Sequence, residues 1–211
     1  SIDKSLISAE KKYINEKKND KTLMDLVDNT RTDKNTIHSF LPLYERLLRK
    51  KKYTATNVLE VGLGQRGSCH CGSVKLWRDY FINADVYAVE IYDKRFLWEG
   101  ILNDARIKIL TSTNAYDEIQ FNEKILSKNI KFDMLLDDGS HKLIHMKQFI
   151  RLYSKLLKDD GILIIEDIPK IEWIDILSNE VPDNLKKYIK TYDLRKEKNR
   201  FDDIVFSIDL S

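Results

Sequence analysis

Phe132-Asp133-Met134-Leu135-Leu136-Asp137-Asp138-Gly139-Ser140-His141, followed one helix later by Gly161-Ile162-Leu163-Ile164-Ile165-Glu166-Asp167, decides the fold. Each stretch is an apolar run that ends in a pair of acids, the pattern of a parallel strand buried on both faces. Between them, Leu143, Met146, Ile150, Tyr153 and Leu157 recur at helical spacing, which predicts a helix over 141–158. A strand–helix–strand crossover of this kind is right-handed and lays its two strands side by side if nothing intervenes. Neighbouring strands lie about 4.8 Å apart, so the four carboxylates converge at one rim of the sheet. Acids crowded in this way repel unless protons or a cation neutralise them, and oxygen ligands favour a hard divalent ion. His141 follows Asp138 closely enough to stand at the same rim as a base. The rival reading is that Asp138 and Ser140 cap the helix and that Asp167, before Ile168-Pro169, is a turn residue.

Outward from this unit the alternation continues. Strands are expected at 57–61, 85–90, 106–110, 132–136 and 161–165, with helices at 73–82, 94–103, 117–128 and 141–158. This is the α/β pattern of a doubly wound sheet. Tyr188–Leu194 and Ile204–Leu210 read as two further strands whose short connection suits an antiparallel pair, making seven strands. Residues 1–35 form a lysine- and asparagine-rich helical lead-in, and 36–211 form the α/β domain. The basic run Arg49 to Lys52 closes a helix from about Phe40, where cations suit the dipole.

Composition excludes more than it identifies. In 211 residues, 36 basic and 34 acidic side chains leave a net charge of +2, which gives no global sign of nucleic-acid binding. No apolar stretch is long enough to span a bilayer, and the N-terminus lacks a signal-peptide pattern. Cys69 and Cys71, one residue apart, are poorly spaced for a mutual disulfide, so a reducing, cytoplasmic setting is expected. His70 between them lacks the loop geometry of a zinc site. His38 reads either as a packed histidine or as a substrate contact. Trp77, Tyr80 and Phe81 read as core, while Trp98 is left open and Trp173, after the acid rim, is a candidate to line an acceptor site.

A second carrier of chemistry is Val58-Leu59-Glu60-Val61-Gly62-Leu63-Gly64, a strand running into a glycine turn ahead of a helix from about Ser73. Such a turn lets the backbone approach a ligand closely. The next strand ends in Glu90, placed to accept hydrogen bonds from a ribose hydroxyl pair. Gly67 occupies the third glycine place of a phosphate-gripping motif, but the insert Gln65–Gly72 is long and polar. An adenosine-bearing ligand without a pyrophosphate therefore fits better than a dinucleotide.

Together, Glu60-x-Gly62-x-Gly64, Glu90, Asp137-Asp138-Gly139-Ser140-His141 and Glu166-Asp167 resemble the class I S-adenosylmethionine-dependent methyltransferases. More narrowly they resemble the metal-dependent macrolide sugar O-methyltransferases of the mycinamicin and demethylmacrocin type, with the rhamnosyl O-methyltransferase and cephalosporin hydroxylase group. Thr32-Asp33-Lys34, His38 with Tyr44-Glu45-Arg46-Leu47, and Gly72–Phe81 extend the likeness over about 31–169. The resemblance implies a divalent metal of the magnesium type on Asp138, Glu166 and Asp167, with His141 as general base. It implies the methyl donor S-adenosylmethionine among Glu60, Gly62, Gly64, Ser73 and Glu90, with Asp137 or Asp138 near its amino group. Ser112-Thr113-Asn114 departs from the family's usual Gly-Asp-Gln, leaving Asn114 as the adenine contact. The implied activity is O-methylation of a hydroxyl on a sugar or glycosylated small molecule, with no nucleic-acid or membrane partner and with homo-oligomerisation left open. Two alternatives remain: a metal-dependent hydroxylase-like relative, and a donor-binding protein without transferase activity.

Overall fold

The computed structural model describes residues 20–64 and 70–211. Among these, α1 (Leu23–Leu26) and α2 (Phe40–Leu48) lead into β1 (Asn57–Val61), α3 (Gly72–Tyr80), β2 (Asp85–Val89) and β3 (Ile107–Leu110). Then come α4 (Glu118–Lys124), β4 (Phe132–Asp137), α5 (Leu143–Tyr153), β5 (Leu157–Ile165), α6 (Trp173–Glu180), β6 (Ile189–Asp193), α7 (Arg195–Lys198) and β7 (Ile204–Asp209). The seven strands form one sheet in the order β3-β2-β1-β4-β5-β7-β6. The first five are parallel, whereas β7 runs antiparallel to both β5 and β6, as the short connection required.

Period-two alternation divides the core into two layers. Val58, Val86, Met134, Leu136, Ile162 and Ile164 pack under α2 and α3 with Tyr44, Trp77, Tyr80 and Phe81. Leu59, Val61, Leu135, Leu163 and Ile165 pack on the opposite face against Met146, Phe149, Ile150 and Tyr153 of α5. Phe132 breaks the alternation because the β4–β5 register shifts between Phe132 and Met134. The lead-in, so far as described, is part of this packing. Leu23 is fully buried, and its backbone N–H donates to Glu45 Oε2 at 2.7 Å.

The helix expected over 94–103 is instead two 3₁₀ turns, Lys94–Phe96 and Glu99–Ile101. Leu97 and Trp98 between them are extended, which places the Trp98 indole under the Arg31 guanidinium at 3.7 Å and against Gly100. Tertiary stacking outweighs the local helical pattern there. The predicted helix over 141–158 is also shorter, because the chain enters β5 already at Leu157. No helix among the described residues is long and apolar enough to cross a membrane.

Candidate functional site

The β1 turn is built around one position that only glycine fits. Gly62 has φ +89°, and a Cβ there would lie 2.1 Å from the Asp138 carbonyl oxygen. That closeness lets the ends of β1 and β4 meet, with Asp138 N–H donating to Val61 O at 2.9 Å. Gly62→Ala is expected to lower unfolding free energy by about 1–3 kcal/mol, read by urea denaturation. Wild-type stability in that variant would remove the close approach from the account.

Beside the turn lies a cleft of about 220 Å³ lined by Gly62, Gly64, Glu90, Asn114, Tyr116 and His145. Glu90 is buried, and its two oxygens accept Leu63 N–H at 2.8 Å and Tyr92 N–H at 2.9 Å, fixing both loops at the cleft mouth. Asn114 Oδ1 accepts Tyr116 N–H at 3.1 Å. Tyr116 stacks on His145 with centroids 4.4 Å apart and donates its hydroxyl to Asp137 Oδ1 at 2.5 Å. Burial pushes the Asp137 carboxyl up to about 7 against these hydrogen bonds. Asp137 thus sits behind the Tyr116 wall. The third-glycine reading of Gly67 lies outside the described residues.

The acid rim assembles because Asp137 pairs with Ile165 in register, so Asp138 and Glu166 leave the sheet level with each other. Asp138, His141 and Asp167 each offer a ligand atom within 4.8 Å of the others. His141 (φ +54°) and Asp167 (φ +56°) both adopt left-handed backbone, strained for these residue types. His141 Nε2 lies 3.7 Å from Asp167 Oδ2 and 4.0 Å from Asp138 Oδ1. The helix N-cap is Lys142 with no side-chain cap, so neither Asp138 nor Ser140 has the capping role that was the rival explanation.

Behind these groups stands a cation that the motif reading missed. Lys34 is fully enclosed, with Nζ 2.5 Å from Asp138 Oδ2, in contact with Glu166 Oε1 and 3.6 Å from Glu60 Oε1. Burial alone would lower its pKa, but Asp138, Glu166 and Glu60 together hold the ammonium well above its usual range. Glu166 spends its other oxygen on the Tyr44 hydroxyl. Glu60 accepts from Trp77 Nε1 at 3.1 Å and faces inward rather than into the cleft, and burial raises it to about 7. Burial, then Asp138, raises Asp167 to about 8, while burial lowers His141. His38, 5 % exposed and stacked on Phe40, bonds Asp203 through Nδ1 at 2.7 Å and lies 3.2 Å from Asp167 Oδ1. Trp173 is partly buried against the α5 side of the core.

An ion fits this donor set. The Asp138 and Asp167 carboxylates suit a hard divalent cation, with His141 beside them. Asp167 Oδ1, on the His38 side at 3.2 Å from Nδ1, is buried without a hydrogen bond. Lys34 lies in the Thr32-Asp33-Lys34 stretch of the family likeness but had no role read for it: a lysine in a short polar turn is ordinarily solvated, and its partners lie 104 and 132 residues away.

No family model matches the chain. It is 30% identical over 133 residues to 8-demethyl-8-(2-methoxy-alpha-L-rhamnosyl)-tetracenomycin-C 3'-O-methyltransferase of Streptomyces olivaceus, over 62% of this chain and 32% of the relative. It is 27% identical over 139 residues to mycinamicin VI 2''-O-methyltransferase of Micromonospora griseorubida, over 65% of this chain and 33% of the relative. The chain therefore spans about a third of the length of these curated relatives. Among solved structures, MycE methyltransferase in complex with Mg, SAH and mycinamycin VI superposes with a TM-score of 0.68 at 20% identity. The match covers 90% of this chain and 54% of MycE. The fold is that of the class I methyltransferases.

Proposed function

We propose that this chain carries the catalytic domain of a metal-dependent S-adenosylmethionine O-methyltransferase acting on a hydroxyl of a sugar or glycosylated small molecule. The observation that carries the reading is the Asp138–His141–Asp167 cluster adjoining the Gly62–Gly64 cleft at one sheet rim. The likeness to two sugar O-methyltransferases, and to a fold bound to Mg and SAH, supports it.

Asp138 and Asp167 would hold the divalent ion, with Glu166 adding negative charge beside them. The ion supplies Lewis acidity that lowers the pKa of an alcohol. His141, kept neutral near pH 7 by burial, accepts the hydroxyl proton at an imidazole nitrogen. Glu90, Asn114 and the glycine turn seat the donor, so that its methyl faces the rim and the two reactants are aligned. An intracellular, reducing setting agrees with a buried Cys71 thiol that burial pushes up to about 11, leaving it unreactive.

Calorimetry tests the reading. S-adenosylhomocysteine should bind at one site per chain, and Mg²⁺ should bind with a measurable heat. Asp167→Asn should weaken Mg²⁺ binding by about tenfold or more, because affinity follows ligand charge. Absent S-adenosylhomocysteine binding would sink the proposal. So would Mg²⁺ binding that is indifferent to Asp167.

A further inference from the structure

On the α5 side of the sheet, with none of the rim acids in its wall, a cavity of about 400 Å³ lies between β1–β3 and the connection from α4 to β4. It exists because α4 is too short to cover the strands beneath it. Asp117 caps that helix, accepting Gln120 N–H at 2.9 Å, and the helix ends at Lys124 after seven residues. A 3₁₀ turn follows over Leu126–Lys128, and Asn129, in left-handed backbone at φ +53°, turns the chain back toward β4. Leu59, Val89, Leu110 and Phe132 form the floor of the cavity, and Ile125 and Ile130 overhang it. Tyr87 and Leu110 stay only partly buried here, whereas Val86 and Ala88 on the other face of β2 are sealed.

The charges at this cavity are of one sign. Three lysines line it and no acid does. Lys108 is already matched, because its ammonium contacts Asp85 and lies 5.2 Å from the Tyr87 ring centroid. Lys124 and Lys128 stand one helical turn apart in the closing turns of α4 and its 3₁₀ extension, where the dipole favours cations. Lys124 Nζ donates to a neutral partner, Thr113 Oγ1, at 3.0 Å, and Lys128 makes no ion pair among the described residues. Apart from the lysines, the polar side-chain group in the wall is the Tyr87 hydroxyl, 3.5 Å from Lys108 Nζ.

The geometry points to a second binding site, which takes a small amphiphilic anion: an alkyl carboxylate whose unsubstituted tail lies on the strands and whose head meets Lys124 and Lys128. A sugar or nucleoside would bury its hydroxyls and ring nitrogens against aliphatic carbon that cannot bond them. A second copy of the chain docked through this same face would set these lysines against their own counterparts. The volume falls within the about 300–1,000 Å³ of small-molecule sites, whose walls are likewise mostly apolar with a few placed polar groups. This inference stands apart from the transferase reading, since the cavity and the donor cleft have only Val89 in common.

The test is ¹³C-methyl NMR of the protein titrated with octanoate, decanoate, decanol and decylammonium, all below their micellar concentrations. Ile125 and Ile130 supply the reporting methyls, and the exposed Ile119 and Ile144 are controls outside the cavity. Decanoate should shift Ile125 and Ile130 and leave Ile119 and Ile144 in place. It should bind about tenfold more tightly than octanoate, the usual gain for burying two further methylenes. Replacing both cations, Lys124→Gln with Lys128→Gln, should weaken decanoate about fivefold and leave decanol unchanged, as for two partly exposed ion pairs. An unaltered methyl spectrum elsewhere certifies that the double variant is folded. No shift with decanoate, equal decanoate affinity in the double variant, or decylammonium binding as tightly as decanoate overturns the assignment. Equal shifts at all four isoleucines would mean detergent-like adsorption only, and overturn it as well. So would Ile125 and Ile130 signals that follow protein dilution rather than decanoate, because a second copy would then cover the face.

Discussion

His141→Ala is expected to lower the methyl-transfer rate by about 10²–10⁴-fold, the usual contribution of a general base. The geometry makes the loss selective. His141 stands between Asp138 and Asp167 at the rim and is absent from the walls of the Gly62–Gly64 cleft, so S-adenosylhomocysteine affinity should not change. Burial lowers the imidazole pKa, so the neutral, proton-accepting form predominates at pH 7 in the wild type. The rate should therefore fall on acidification as that imidazole protonates. The variant should lose this acid limb together with its rate. Single-turnover transfer from labelled donor, followed across pH, reads both. An undiminished rate in the variant removes His141 from the chemistry.

Lys34→Met is expected to cost about 3–5 kcal/mol of folding stability near pH 8, the range for breaking a buried ion pair from one side. Asp138, Glu166 and Glu60 all face the ammonium, and Met fills its volume without its charge. The pH dependence has a definite sign. Glu60 and Asp137 titrate at about 7 in the fold and Asp167 at about 8, all above their ordinary values. Groups raised in this way contribute most when protonated, and that contribution is lost as pH climbs through their folded pKa values. Metal-free wild type should therefore be more stable at pH 5.5 than at pH 8.5. Lys34→Met should steepen the decline and suffer least at the acid end. Urea denaturation at the two pH values measures this. A penalty independent of pH would mean that Lys34 contributes packing rather than charge.

How much of this was legible in the sequence depends on where each partner lies along the chain. The acid pairs were readable because each closes its own apolar run, and adjacent parallel strands bring the run ends level without further information. The glycine turn was readable for a similar reason, although the need at Gly62 comes from Asp138, far away in sequence. The same local logic placed Glu60 with the donor set, yet alternation along β1 turns it inward toward Trp77. The family likeness passes through Lys34, His38 and Tyr44, and His38 reads as packed or as a substrate contact, but their partners in the rim were not legible. Each partner lies more than a hundred residues away, and no periodicity links the two. Residues 94–103 misled for the opposite reason: their pattern is locally helical, but the stacking of Trp98 with Arg31 sets the backbone.

The most direct measurement uses Mn²⁺ in place of Mg²⁺ and follows the ¹³C-methyl signal of bound S-adenosylmethionine. If ion and donor share the rim formed by Asp138, Asp167 and the Gly62–Gly64 turn, Mn²⁺ will broaden that signal strongly, and Asp167→Asn will reverse the broadening. A methyl line that stays sharp with Mn²⁺ bound would contradict the account.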